Sequence, residues 1–292
     1  MRLVRRSTDK DHLDGLLAGT LRQDPGTLGI AWLGQAGFAL FHEDLVAAVD
    51  PYLSDSLHEK YRDSRFPHRR MMAPPVGAAA LSGADLLFST HAHTDHLDPG
   101  TLNAVYGGPE EPRPLMICPR AAAATALERG VNPQRLISMN DGETHKGPNW
   151  EVSAVQSAHE GLDRDGFGNA LFLGYVIRIG EFTIYHSGDC VPYPGLAGAL
   201  GFMDVDVALL PVNGRDDRRR AGNIPGNFTA EEASGLAKDI GARFLIPHHF
   251  GMFDFNTSPP EEILRALRSS GRRIDDDTLM PDPGVVYTVS RT

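Results

Sequence analysis

The sequence predicts an α+β fold: one domain built on two β-layers with helices outside them. Short apolar runs are many, helical segments are fewer and clustered, and no linker breaks the composition of the 292 residues. There is no internal repeat and no low-complexity stretch. The domain is expected to span residues 1–292, with residues 1–27 as an N-terminal helical extension.

In that extension Leu13, Leu16 and Leu17 make residues 8–20 a weak amphipathic helix ending near Gly19. Apolar runs at 29–33, 37–41 and 45–49, punctuated by glycine and acidic residues, read as a β-meander. From Asp50-Pro51 to residue 75 the chain turns polar and irregular. His68-Arg69-Arg70 and Pro74-Pro75 mark this stretch as a surface excursion, and a connection of such length is often functional. The runs 85–90 and 114–118 read as strands, and 120–129, with four consecutive alanines, as a helix closed by Gly130. Further strands fall at 152–155, 170–179 and 181–185, the last two joined at Gly180, then at 206–211 and 244–247. Thr229-Ala230-Glu231-Glu232 and Ser258-Pro259-Pro260-Glu261 both fit a helix-start capping box, the second with proline at the first helical position.

Hydrophobic residues at 41% and charged residues at 23% place the chain among soluble globular proteins rather than disordered ones. A net charge of −10, from 38 acidic and 28 basic residues, leaves no global basic field to draw in nucleic acid or an anionic membrane. An anionic substrate would need a local positive site. Cys118 and Cys190 lie far apart without CxxC spacing, so no disulfide framework or cysteine-only zinc site is indicated. No apolar stretch has the length of a signal peptide or a membrane helix. The expectation is a cytoplasmic protein with a small-molecule substrate and no nucleic-acid or membrane partner. Its oligomeric state stays open, a homo-oligomer included.

The chemistry is concentrated in His91-Ala92-His93-Thr94-Asp95-His96, directly after the apolar run 85–90. Residues i and i+2 leave an extended chain on the same side, so His91 and His93 can grip one ion together. Asp95 and His96, beyond a turn, are free to grip a second. Zinc or another borderline divalent ion accepts imidazole and carboxylate, and hydrolytic ion pairs sit roughly 3.5–4 Å apart.

Partners for this cluster stand at other strand ends. His159 follows the strand 152–155 and starts a glycine-rich loop. Asp189 follows the strand 181–185 after Gly188, and its two oxygens could bridge two cations. His248 and His249 follow 244–247; neighbours on a strand point to opposite faces, so one of the two reaches the metal. Asp50, ending the run 45–49, reads either as a carboxylate orienting a metal-bound histidine or as a turn residue before Pro51. His12, His42, His58, His68 and His145 sit in polar contexts without partners and are expected at the solvated surface. His186 is expected in the core or supporting a ligand rather than binding metal.

With His91, His93, Asp95 and His96 as an HxHxDH motif and His159, Asp189 and His249 at the later ligand positions, the sequence resembles the metallo-β-lactamase superfamily. The resemblance implies a four-layer αββα sandwich. It also implies a first metal held by His91, His93 and His159, a second by Asp95, His96 and His249, and Asp189 bridging them. It favours His249 over His248. Within the superfamily the chain is similar to the ascorbate-6-phosphate lactonase family. The matching segments include Trp32-Leu33-Gly34-Gln35-Ala36-Gly37-Phe38, Asp50-Pro51-Tyr52-Leu53-Ser54-Asp55, Tyr185-His186-Ser187-Gly188-Asp189 and Leu209-Leu210-Pro211-Val212-Asn213-Gly214-Arg215-Asp216. The match runs from about Thr27 to Asn256. Cys190 departs from the threonine or serine usual after the bridging aspartate, and the run Arg218-Arg219-Arg220 is denser than the family pattern.

The function that follows is a metal-dependent hydrolase, a lactonase acting on a phosphorylated sugar lactone. Two divalent ions, zinc or manganese with iron also able to serve, would acidify a shared water, and either Asp95 or Asp189 would handle its proton. No GxSxG nucleophile elbow is present. Asn213 and Arg215, just past a strand, are the candidate phosphate ligands, with Asn227 and the helix start at Thr229 adding donors. Arg218 to Arg220 read as a solvated loop balanced by Asp216 and Asp217. The alternatives are a binuclear phosphodiesterase and, from another class, a metal-stabilised binding protein without catalysis.

Overall fold

A computed structural model describes residues 1–108 and 114–291. The first sheet begins with β1 (Arg2–Ser7), which helix α1 (Lys10–Leu17) separates from the meander β2 (Thr27–Gly34), β3 (Gly37–His42) and β4 (Leu45–Val49). Helix α2 (Ser56–Tyr61) precedes β5 (Leu86–Phe88), and α3 (Pro99–Tyr106), β6 (Leu115–Pro119), α4 (Ala123–Glu128) and β7 (Leu136–Met139) follow. The second sheet takes β8 (Thr144–Lys146), β9 (Trp150–Gln156), β10 (Leu173–Ile179) and β11 (Phe182–His186). After α5 (Leu196–Leu200) come β12 (Val207–Pro211), α6 (Asp217–Ala221), α7 (Ala230–Asp239), β13 (Phe244–His248) and α8 (Pro260–Ser269). The last strand, β14 (Val286–Ser290), returns to the first sheet.

The first sheet has the order β1-β14-β2-β3-β4-β5-β6-β7 and the second β13-β12-β11-β10-β9-β8. Each is antiparallel at one end and parallel at the other: β4 to β7 run parallel, as do β11 to β13. The sheets face each other across one apolar interior, in which Ile30, Phe38 and Phe88 meet Tyr175, Ile184 and Leu245. The outer face of the first sheet is covered by α1 and α3 through Leu13, Leu16, Leu17, Leu102 and Val105. The outer face of the second carries α7 and α8, which bury Ala233, Ala237, Ile263 and Leu267. This is the αββα layering that the resemblance implies.

Several expectations are corrected. Residues 1–27 are not purely helical: β1 pairs with β14 at the sheet edge, with Arg2 opposite Ser290. The pairing strand comes from the far end of the chain, so no local pattern in the N-terminus announces it. The segment 120–129 splits into a 3-10 turn at Arg120–Ala122 and the short α4. Helix α7 has the expected capping box between Thr229 and Glu232. Helix α8 does not; Pro259 is its N-cap, and the Ser258 hydroxyl donates instead to the Asn213 carbonyl at 2.9 Å. Of the five histidines expected at the surface only His145 is exposed; His12, His58 and His68 are half-buried. His42 is buried, edge-on to Phe182 with 5.7 Å between centroids.

Parallel neighbours bring strand C-termini to one rim. Val49 of β4 lies opposite Phe88 of β5, and Pro211 of β12 opposite His248 of β13. Antiparallel β10 carries Gln156 of β9 and His186 of β11 at its own start, opposite Leu173 and Tyr175. The Leu173 amide donates to the Thr90 carbonyl at 2.9 Å, joining the two sheets at this rim.

Candidate metal centre

Strand β5 stops at Phe88, so His91 and His93 leave an irregular loop and not an extended strand. They meet all the same: their rings lie 4.5 Å apart at 75°. The loop is held by the Ser89 hydroxyl on the His91 carbonyl at 2.8 Å and by one turn in which the Leu97 amide returns to the His93 carbonyl at 2.9 Å. That turn swings Asp95 and His96 to the other side of the cluster. Asp98 then caps α3 and accepts both hydroxyls of Ser54 and Ser56, tying the loop to the start of α2.

Among the described residues, three groups of donor atoms are compact enough for an ion: His91, His93 and His159; His91, His96 and Asp189; Asp95, His96 and His249, with all donor atoms of a group within 4.8 Å of one another. Asp189 stands between them. Its Oδ1 lies 3.4 Å from His96 Nε2 and 3.2 Å from His249 Nε2, while its Oδ2 lies 3.5 Å from His159 Nε2. His91 Nε2, His96 Nε2 and Asp189 Oδ1 are buried without a hydrogen-bond partner. Buried polar atoms are nearly always partnered, and orphaned imidazole nitrogens beside an orphaned carboxylate oxygen fit a divalent cation by position and by chemistry.

Asp189 reaches this place because Gly188, at φ +62°, passes so close to Thr90 that a Cβ would sit 2.7 Å from the threonine Cβ. Thr90 in turn is clamped by Asp50, which accepts from its amide at 2.8 Å and its hydroxyl at 2.7 Å. The same carboxylate accepts from His96 Nδ1 at 2.7 Å, which aims Nε2 at the cluster. Asp50 thus holds the His96 ring from behind, in a left-handed turn at φ +47°.

Electrostatics separates the histidines. Burial, reinforced by His96 and His93, holds His91 well below the ordinary imidazole range, leaving a neutral ring with a lone pair to donate. His96 is buried too, but Asp189, Asp50 and Asp95 outweigh that burial and push it well above the range. For Asp189, burial is overcome by His249 and His96, which keep it ionised well below the usual carboxylate range.

Between the adjacent histidines, His249 faces the carboxylates; its backbone is left-handed at φ +61° and its amide donates to the Gln35 carbonyl at 2.9 Å. His248 turns into the core, stacked on His186 at 4.9 Å and edge-on to Phe38. His249→Ala is therefore expected to depress metal content and turnover, and His248→Ala to leave metal content near wild type while lowering thermal stability. Elemental analysis of the two purified variants distinguishes them, and the opposite pattern refutes the assignment.

Gln35 is the residue that sequence reasoning missed. In the tight turn between β2 and β3, its side-chain amide lies 2.9 Å from Asp95 Oδ2 and 3.0 Å from His249 Nε2. The signal was the Gly34-Gln35-Ala36-Gly37 turn itself, a buried polar side chain between two glycines.

The three substrate-binding candidates stand outside the lining of the cavity that opens onto the cluster. Asn213 and Asn227 are buried and satisfy each other: Asn227 Nδ2 donates to Asn213 Oδ1 at 3.0 Å, Asn227 Oδ1 accepts from the Cys190 amide, and Asn213 Nδ2 donates to Asn256. They brace the segment that carries Asp189. The Arg215 guanidinium makes two 2.6 Å bonds to Glu232, the capping-box residue of α7, and a third bond to the Asn227 carbonyl. Arg219 and Arg220 pair with Asp216 and Asp217 on the short α6. Cys190 is buried in the core, and burial pushes its thiol up to about 12.

A cavity of about 640 Å³ opens onto the cluster, with His93, Asp95, His159, Asp189 and His249 in its lining. Its other wall comes from α2 and the loop after it, from residues 221–225, and from Phe253, Phe255 and Asn256. The stretch expected as a surface excursion is therefore part of the cavity. Arg70 holds it in place, donating to the carbonyls of Tyr52, Ser54 and Met72. Among the described residues no helix is long and apolar enough to cross a membrane.

Residues 48–250 match the family model described as a beta-lactamase superfamily domain. A UPF0173 metal-dependent hydrolase of Methanosarcina mazei is 26% identical over 263 residues, covering 88% of this chain and 96% of that protein. One of Pyrococcus furiosus is 28% identical over 246 residues, covering 82% and 91%. Among solved structures, the isothiocyanate hydrolase from Delia radicum gut bacteria aligns with a TM-score of 0.69 at 19% identity, over 90% of this chain and 98% of that one, a likeness of fold.

Proposed function

We propose that this chain, which belongs to the beta-lactamase superfamily, binds two divalent ions in its His–Asp cluster and hydrolyses a small anionic carboxylic ester, a lactone first of all. Its place among metal-dependent hydrolases is common ground with its relatives; the two ions and the ester are our reading. The observation that carries it is the split of Asp189, one oxygen toward His96 and His249 and the other toward His159.

In this reading His91, His93 and His159 would hold one ion, Asp95, His96 and His249 would hold the other, and Asp189 would serve both. Zinc, manganese or iron would be accepted by such donors. When bound, the ions acidify water and polarise a carbonyl. Asp95 takes the proton: its side chain is 16% exposed against 8% for Asp189, and the Gln35 amide on Oδ2 leaves Oδ1 as the acceptor. A purely structural metal site is disfavoured because such sites are closed, whereas this cluster opens into a cavity.

The substrate's anion meets Lys60 and Arg65, which line the cavity and have no carboxylate partner among the described residues. L-ascorbate-6-phosphate, the substrate the resemblance implies, is one such ester; its phosphate would meet these two cations and not Arg215. Phosphodiester hydrolysis is the second reading, favoured by the same two cations. We further propose that the chain works without nucleic-acid or membrane partners, on the strength of the acidic net charge.

Turnover of a lactone panel and a phosphodiester panel, with metal-loaded and chelated protein, tests the proposal. Replacing Lys60 and Arg65 together with glutamine should lower kcat/KM for a phosphorylated lactone roughly ten- to a hundredfold, the scale of a lost charge-assisted hydrogen bond. The unphosphorylated counterpart should change little, and Arg215→Gln should shift stability without discriminating the two. Full lactone turnover by chelated protein would sink the proposal.

A further inference from the structure

Neither metal binding nor carbonyl chemistry requires the aromatic rings that line the cavity wall facing the His–Asp cluster. Tyr61 and His68 stack at 4.6 Å and 26°. Phe66 and Phe255 lie 5.0 Å apart, and His68 stands edge-on to Phe255 at 4.7 Å and to Phe253 at 5.1 Å. The rings come from two segments far apart in sequence, brought together by the Met71 amide on the Met252 carbonyl at 2.9 Å and by Tyr52 against Phe253.

Packing alone would account for buried rings. Here only Phe253 is buried; Tyr61, Phe66, His68 and Phe255 are half-buried and line the cavity. Apolar area left wet at a cavity wall is recovered when a ligand covers it, at about 25 cal/mol per Å². Two cations flank the same rings: Lys60 Nζ lies 5.0 Å from the Tyr61 centroid and the Arg65 guanidinium carbon 5.1 Å from that of Phe66. Both side chains are exposed and unpaired with any carboxylate among the described residues.

We propose that this wall is a subsite for a flat aromatic or unsaturated group of the substrate, with Lys60 and Arg65 pairing an anionic substituent on that group. A ligand that turned polar groups onto these rings would lose their water without gaining a partner. A flat apolar group covers the rings without that loss, and its offset stacking adds a preference of its own. The substrate class is thus an aryl-bearing anionic ester, a deepening that rests on the ester hydrolysis proposed above.

Binding of unreactive lactam analogues to the zinc-loaded chain, measured by calorimetry, tests the subsite apart from turnover. The probes are 5-methyl-, 5-phenyl- and 5-(4-carboxyphenyl)-2-pyrrolidinone. Phenyl is expected to bind about tenfold tighter than methyl, and carboxyphenyl about tenfold tighter again. Phe255→Ala should erase the advantage of phenyl over methyl, and Lys60→Gln with Arg65→Gln only that of the carboxylate. If Phe255→Ala fails to fold, Phe66→Ala serves the same arm. Equal affinity for the three lactams, no binding of any, or a phenyl advantage intact in the ring variants overturns the subsite. Failure of ester hydrolysis itself is read separately, as absent lactone turnover.

Discussion

Asp189→Ala is expected to lower hydrolysis by at least a hundred- to a thousandfold, on the order of the loss of one preorganised electrostatic group, and to cut bound metal in a protein that still folds. The carboxylate sits where His96, His249 and His159 converge and stays ionised among them. Among the described residues no other carboxylate spans the cluster in this way: Asp95 lies on one side of it, 3.7 Å from His96 and 4.0 Å from His249. His93→Ala removes one imidazole from the first group alone and should leave part of the metal bound. Elemental analysis and circular dichroism of both variants, beside the turnover assay, check this. An Asp189→Ala protein with wild-type metal content would show that the carboxylate is not a shared ligand.

Asp50→Asn is expected to weaken metal binding about ten- to a hundredfold, the range for loss of a group that orients a ligand. The wild-type carboxylate accepts three bonds, from the Thr90 amide, the Thr90 hydroxyl and His96 Nδ1. Asparagine tolerates the left-handed backbone at this position but presents an amide NH₂ where an acceptor is needed. One buried donor is then left without a partner, at a cost of about 1–3 kcal/mol, so the melting temperature should fall with the metal affinity. Competition with a chromophoric chelator measures the affinity. An unchanged affinity in Asp50→Asn would make Asp50 a turn residue and nothing more.

Much of the cluster was legible in the chain because its members are local to strand ends. His91, His93, Asp95 and His96 follow one apolar run, and His159, Asp189 and His249 each follow another. Parallel and antiparallel pairing then carries those ends to one rim, so a pattern read strand by strand survives folding. Asp50 reaches the same rim because β4 lies beside β5. The choice of His249 over His248 came from resemblance; the structure adds the cause, a left-handed residue after β13 that turns one ring to the carboxylates and leaves the other in the core.

The substrate side was not legible. Arg215 looked free beside Asn213, yet its partner Glu232 lies on the next long helix, and a guanidinium already held by two 2.6 Å bonds has little left for phosphate. Asn213 and Asn227 are saturated by one another, by Cys190 and by Asn256. Conversely, Lys60, Arg65, Phe66 and His68 looked like surface, and only their approach to Phe253 and Phe255 makes them a cavity wall. Membership of the His–Asp cluster followed from residue type and strand ends, which are properties of short segments. Whether a polar or aromatic side chain faces a ligand or a partner depends on what distant segments place against it, and that is decided only when the two sheets close on one another.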